Sequence, residues 1–125
     1  MDEKIIYKNE SYKIIGICMD IHNELGKGHS EVIYKDALEY EFNLSQIKFE
    51  REKQFKIEYK NIILPHYYYA DFVAFNKIIL EIKAIESLNN SHIKQTLNYL
   101  AASKLKLGLL INFGEDSLKY KRIVL

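Results

Sequence analysis

The sequence predicts an α/β domain, a mixed sheet flanked by helices in the order α-α-β-β-β-α-β-β. Three observations carry that expectation. Apolar residues first recur at three- and four-residue steps, the period of a helix face. From Gln54 to Lys60 polar and apolar residues then alternate without a miss, the period of a half-buried strand. Late in the chain Leu107 to Phe113 is a dense apolar run, the pattern of a strand covered on both faces.

The elements follow in order. Residues 11–25 place Ile14, Ile17, Cys18, Ile21 and Leu25 on one helical face, and Gly26 follows as a C-terminal stop. Gly26-Lys27-Gly28 is a tight connector, and Ser30 is placed to cap a second helix over residues 31–43 with Ile33, Ala37 and Leu38 as its stripe. After the alternating strand, Lys60-Asn61 makes a turn into a second strand. That strand accommodates Pro65 near its start only at an edge or a bulge. Tyr67 to Phe75 and Lys77 to Ala84, joined around Asn76, continue an antiparallel meander. Asn89-Asn90-Ser91 supplies capping chemistry for a third helix over residues 92–103, carrying Ile93, Leu97, Leu100 and Ala101. Leu118 to Leu125 is the last strand.

Composition sets bounds. A chain of 125 residues predicts one domain, residues 1–125. With 48% hydrophobic and 28% charged residues it can bury a core, which excludes a disordered tail or a fibre. The lone cysteine, Cys18, lies in an apolar run and reads as core filling; no disulfide framework exists. The formal net charge of +1 argues against coating nucleic acid by bulk charge, so any phosphate binding must come from local arrangement. Acidic residues at the start disfavour a secretory leader, and no apolar run approaches the roughly 20 residues of a membrane helix, so no membrane partner and a cytoplasmic location are expected.

Asp71, Glu81 and Lys83 carry the chemistry. Glu81 and Lys83 lie two apart on a predicted strand and share a face. Register decides whether Asp71 joins them. A two-residue turn at Asn76-Lys77 sets Asp71 opposite Ile82 and on the wrong face. A three-residue turn centred on Asn76 sets it opposite Glu81. In the second case two carboxylates and an ammonium converge, as a hard cation such as Mg²⁺ and an attacking water require. The bland alternative is a solvated face with a surface ion pair of little value. The flanks Ile78-Ile79-Leu80 and Ile82 weigh against it, since charges in an apolar strand are costly unless paired or ligated.

At these residues the chain resembles the PD-(D/E)XK nuclease superfamily and, within it, the GxxExxY family. Gly28, Glu31 and Tyr34 reproduce the naming motif, and Tyr69-Ala70-Asp71-Phe72-Val73 matches the aspartate strand. Ile79-Leu80-Glu81-Ile82-Lys83-Ala84 matches the E-x-K-A strand, and His92-x-x-Gln95-x-x-x-Tyr99-Leu100 matches a helix bearing a Q-x-x-x-Y pair. Leu107 to Gly114 matches a G-L-L-x-N-F-G strand, and Arg122 a late basic position. Ala70 stands where the superfamily's name has proline, and His29-Ser30 replaces a more apolar pair.

The resemblance implies a restriction-endonuclease-like fold and divalent-metal-dependent hydrolysis of phosphodiester bonds, in DNA rather than RNA. It implies Asp71, Glu81 and Lys83 as catalytic, with Glu31, Asp71, Glu81 and the carbonyl of Ile82 around Mg²⁺ or Mn²⁺. Gln95, Tyr99, Tyr34 and His92 become substrate-binding or outer residues of the site. Each has a plainer reading. Glu31 is an acid at a helix start, Gln95 and Tyr99 are a polar stripe with a buried ring, Tyr34 is packing, and His92 is a solvated histidine. The Tyr67-Tyr68-Tyr69 run suggests base stacking, but strand alternation splits it between faces. Basic groups at Lys48, Arg51, Lys53, Lys56 and Lys60, and at Lys104, Lys106, Lys119, Lys121 and Arg122, are candidates for phosphate contacts. The rival function is a non-catalytic nucleic-acid-binding or protein-interaction module keeping the nuclease fold. A homo-oligomer stays open.

Overall fold

The change of period from helical to alternating falls where two helices give way to a five-stranded sheet. The structure, a computed structural model, describes residues 5–125. Met1–Lys4, on which the expectation of no secretory leader rests, lie outside the described residues. The elements are α1 (Lys8–Leu25), α2 (Glu31–Leu44), β1 (Phe49–Tyr59), β2 (Ile62–Ala74), β3 (Ile78–Lys83), α3 (Asn90–Ser103), β4 (Leu107–Asn112) and β5 (Lys119–Val124). This is the predicted order. Among these residues no helix is long and apolar enough to cross a membrane.

The strands lie in sequence order, with β3 at the centre. β3 runs parallel to β4, to which α3 connects it, and the other neighbours are antiparallel. β3 and β4 are apolar because both faces are covered. Ile78, Leu80 and Ile82 join Ile14, Cys18, Leu38, Phe42 and Phe72 in a core under α1 and α2. Ile79 joins Val73, Leu100, Leu110 and Ile123 in a second core under α3. Cys18 is fully buried core filling, as read.

Some details differ from the sequence reading. β1 begins at Phe49 rather than Gln54, because the half-buried positions before Phe55 include Arg51 and Lys53, whose charge hides the alternation. The partner shift between Lys56 and Glu58 leaves Pro65 in the unpaired stretch of β2, the bulge its missing N–H requires. Ser30 occupies the N-cap position of α2, but its side chain makes no capping hydrogen bond. The chain entering α2 is held instead by Tyr34, whose hydroxyl donates to the Gly26 carbonyl at 2.6 Å and accepts from the His29 N–H at 3.3 Å. Arg122 is no free phosphate contact either. It donates to Ser11 Oγ at 2.6 Å and the Ile6 carbonyl at 2.7 Å, tying β5 to the start of α1. Arg51 is spent on Asp36 and Glu39 of α2, and Lys53 on Glu50.

Candidate active site

The hairpin between β2 and β3 pairs Ala74 with Ile78, Val73 with Ile79 and Phe72 with Leu80. Its loop is therefore Phe75-Asn76-Lys77, the three-residue turn. Phe75 and Asn76 both take left-handed backbone, φ 56° and 62°. The next rung sets Asp71 opposite Glu81. There the ladder opens and side chains replace main-chain partners. The Asp71 N–H donates to Glu81 Oε2 at 2.9 Å, and the Ile82 N–H donates to Asp71 Oδ2 at 2.7 Å.

The same rung marks a reversal of faces. On β2, Phe72 packs in the core under α1 and α2, whereas Ala70, two residues earlier, packs in the core under α3. On β1, Phe49 belongs to the first core and Phe55 to the second. Glu52, opposite Asp71 in the running register, has φ 53°, a left-handed value that breaks the pleat there. The carboxylates thus sit where the sheet turns over, between the N-terminal half of α2 and the face of α3.

Glu81 is 3% exposed. Burial first, and then the charge of Asp71, push its carboxyl up to about 8. Its Oε1 accepts no hydrogen bond, yet no buried side-chain polar atom lacks a partner among the described residues, so Oε1 is not sealed from solvent. Glu31 is exposed, one residue past the α2 N-cap. Its carboxyl is also raised, by partial burial and then by Asp71, so it lies within the field of Asp71. Lys83 Nζ donates to Gln95 Oε1 at 3.2 Å, so α3 holds the ammonium that β3 presents. Tyr99, one turn further along α3, packs against Tyr68 with ring centroids 5.0 Å apart and planes tilted by 49°. Burial and then Glu81 push its hydroxyl up to about 12, so it stays a neutral donor.

Two residues of this site escaped the sequence reading. Lys35 Nζ bonds both Glu52 Oε1 and Asp71 Oδ1, the latter at 3.1 Å. Burial lowers the pKa of this ammonium, but the two carboxylates more than offset that and raise it. The available signal was the i,i+4 spacing of Glu31 and Lys35, which puts both on one side of α2. A third missed residue supports the site from behind. Asn112 is fully buried at the end of β4. Its Oδ1 accepts from the Ile85 and Gly114 N–H groups at 3.0 and 3.1 Å, and its Nδ2 donates to the Ile85 carbonyl and Glu115 Oε2, both at 2.9 Å. It fixes the chain just beyond Lys83. Gly114 lies so close that a Cβ there would meet the Ile85 carbonyl oxygen at 2.2 Å.

Asp71, Glu81, Lys83, Gln95 and Tyr99 are thus brought to one cleft, with Glu31 at its rim. Ile82 enters through its N–H. Tyr34 lies beneath, fully buried and stacked on Phe113 with centroids 4.4 Å apart and planes 14° apart. Its hydrogen bond to Gly26 and the left-handed Gly28, φ 103°, explain the G-x-x-E-x-x-Y spacing: the glycine bends the connector and the tyrosine anchors it, which fixes where α2 begins and so where Glu31 stands. His92 serves the start of α3 through one ring nitrogen. Its Nδ1 accepts the Asn89 N–H at 3.1 Å in a capping box that starts α3.

The donor set fits a hard divalent cation. Two carboxylates meet in a largely buried place, and Glu81 Oε1 has no protein partner. Among the described residues no three His, Cys, Asp or Glu side chains form a ready cage. Asp71 Oδ1 is engaged by Lys35 instead.

Comparisons with known proteins agree with this geometry. A family model described as the PD-(D/E)XK nuclease superfamily matches residues 8–123. The crystal structure of SSO0001 shares the fold, with a TM-score of 0.58 over 94% of this chain at 21% identity; the chain spans 59% of that protein's length. No curated protein matches the sequence.

Proposed function

This chain belongs to the PD-(D/E)XK nuclease superfamily, and from that premise we propose that it is a divalent-metal-dependent nuclease of the GxxExxY branch, acting on DNA. The observation that carries the reading is the reciprocal pair of hydrogen bonds joining Asp71 to the Glu81–Ile82 segment, which holds two carboxylates beside Lys83. The branch assignment rests on the Gly28, Glu31 and Tyr34 geometry.

Asp71 and Glu81 would hold Mg²⁺ or Mn²⁺, with Glu31 and the Ile82 carbonyl as further ligands. A bound cation of this kind supplies Lewis-acid polarisation of the phosphate and lowers the pKa of a coordinated water. The protein's own groups do the rest. Lys83 shares a strand face with Glu81. It orients the attacking water and offsets charge that builds on the phosphate oxygens as the new P–O bond forms and the old one breaks. Gln95 fixes the Lys83 ammonium. Tyr99 is a neutral hydroxyl near Glu81 and an outer contact for substrate.

The test compares wild type, Lys83→Ala and Asp71→Ala on single-stranded, double-stranded and branched DNA and on RNA, in Mg²⁺, Mn²⁺ and Ca²⁺. Cleavage in Mg²⁺ or Mn²⁺ but little in Ca²⁺ is expected. Lys83→Ala loses most cleavage and keeps Mn²⁺ affinity; Asp71→Ala loses both. Equal, metal-independent activity in all three proteins overturns the reading. Retained nucleic-acid binding with no cleavage under any metal selects a binding module instead.

A further inference from the structure

Lys35 is an ammonium shared by acids on two neighbouring strands, Glu52 on β1 and Asp71 on β2. Its side chain is 12% exposed and that of Asp71 14%, whereas Glu52 is 50% exposed. An ammonium buried to this degree must keep an anionic partner. The Asp71 oxygen it holds, Oδ1, is on the carboxylate proposed to face the cation, and two positive charges contend poorly for one oxygen. Glu52 offers a second berth. Its left-handed backbone, φ 53°, turns it toward the cleft at the rung where the sheet reverses. The charges around the cleft are Glu31, Glu52, Asp71 and Glu81 against Lys35 and Lys83. Fully ionised, they leave an excess that one divalent cation balances.

We infer that Lys35 and Glu52 form a device that sets the cleft's affinity for a divalent cation: Lys35 competes for Asp71 Oδ1, and Glu52 draws Lys35 aside when the cation enters. The inference rests on the metal-dependent reading above. Lys35 is a positioning residue here. It stays protonated throughout, and what changes is which carboxylate it serves. Released from Asp71 but kept by Glu52, it remains at the cleft edge as a cation for substrate phosphate.

The experiment is calorimetric titration of Mn²⁺ into the full chain without nucleic acid, for wild type, Lys35→Met, Lys35→Arg, Glu52→Gln and the double variant Lys35→Met/Glu52→Gln. Lys35→Met is expected to tighten Mn²⁺ binding by about tenfold, and Lys35→Arg to stay within about twofold of wild type. Glu52→Gln is expected to weaken binding by about fivefold, because Lys35 then rests wholly on Asp71. The double variant separates competition from a plain through-space field. If Glu52 acts through Lys35, the double variant binds like Lys35→Met; additive shifts overturn the inference. Should Lys35→Met fail to fold, Lys35→Gln replaces it in the single and double variants with the same expected and overturning outcomes, and unchanged or tighter binding in Glu52→Gln overturns the inference in any case. Wild type that binds Mn²⁺ with unshifted variants sinks this device and leaves the nuclease reading standing. Wild type that binds no Mn²⁺ sinks both.

Discussion

Asp71 and Glu81 are joined through a main-chain donor: the Asp71 N–H reaches Glu81 Oε2 at 2.9 Å. With the Ile82 N–H on Asp71 Oδ2 at 2.7 Å, the carboxylates take the places of ladder carbonyls. The strands separate here without orphaning their amides, and the gap so made is the cleft. Either acid is therefore both a candidate ligand and part of the backbone's hydrogen bonding.

Substituting Asp71 sets two effects against each other. Losing its charge relieves repulsion on Glu81, which alone would stabilise the metal-free protein. Asp71→Ala also strips the Ile82 N–H and Lys35 of an acceptor, and an unsatisfied part-buried donor costs about 1–3 kcal/mol. The second effect wins, because the Ile82 N–H loses its acceptor on a fully buried residue, whereas Lys35 keeps Glu52. Chemical denaturation in EDTA is expected to show Asp71→Ala less stable than wild type, and Asp71→Asn, which keeps an acceptor, between the two.

The pH dependence of stability follows from Glu81. Its folded pKa, about 8, lies above the ordinary 4.5, and Glu31 shifts the same way. A carboxyl raised on folding contributes stability that is full below its unfolded pKa and lost as pH rises toward the folded value. Melting scans of metal-free protein should therefore show Tm falling between pH 5 and about pH 8. Glu81→Gln should flatten that fall. A wild-type Tm that rises across this window would show that Glu81 is not held protonated.

Asn112 supports the site without touching it. Asn112→Ala leaves the Ile85 N–H, the Ile85 carbonyl and the Gly114 N–H without their part-buried partner, a loss of about 1–3 kcal/mol. Asn112→Asp keeps one acceptor but loses the amide donor to Ile85 and sets a second acid against Glu115. Both are expected to lower Tm. Hydrogen exchange at Ile85 and Gly114 should rise with them, which a change confined to the cleft would not cause.

The order of elements was legible because the apolar period changes from one element to the next, although Ser30 makes no capping bond and β1 begins at Phe49, before the alternation is visible. The register was not. Asn76-Lys77 suits a two-residue turn as well as Asn76 suits the centre of three, and what settles it is a left-handed Phe75, a conformation no aromatic advertises in a sequence. Lys35 and Glu52 stayed hidden because their contact depends on how α2 lies across β1, and because Glu52 sits among alternating charges that resemble a solvated strand. Asn112 carried a readable signal, a lone amide in an apolar strand, but only the fold shows that it clamps the loop after β3. Arg122 and Arg51 looked like free cations since sequence does not show partners more than a hundred residues away or on another element.

The link between Lys83 and Gln95 gives a last prediction that isolates positioning from charge. Gln95 Oε1 accepts from Lys83 Nζ at 3.2 Å from one turn of α3, and Gln95 itself is exposed. Its removal therefore costs the fold little. Gln95→Leu keeps the size of the side chain and removes the acceptor, so the ammonium samples other rotamers and meets the reacting phosphate less often in the right place. Under the proposed function, cleavage is expected to fall about tenfold, equivalent to about 1.4 kcal/mol of transition-state stabilisation. Mn²⁺ affinity should be unchanged because no ligand is lost. Gln95→Asn, too short to reach, should behave like Gln95→Leu. Gln95→Glu, which keeps an acceptor and adds charge, should hold Lys83 but pull it away from phosphate, lowering kcat with little change in Tm. Single-turnover cleavage beside Mn²⁺ titration of the same preparations reads both quantities. Equal losses of metal affinity and rate in Gln95→Leu would mean that Gln95 shapes the carboxylate cleft rather than the lysine.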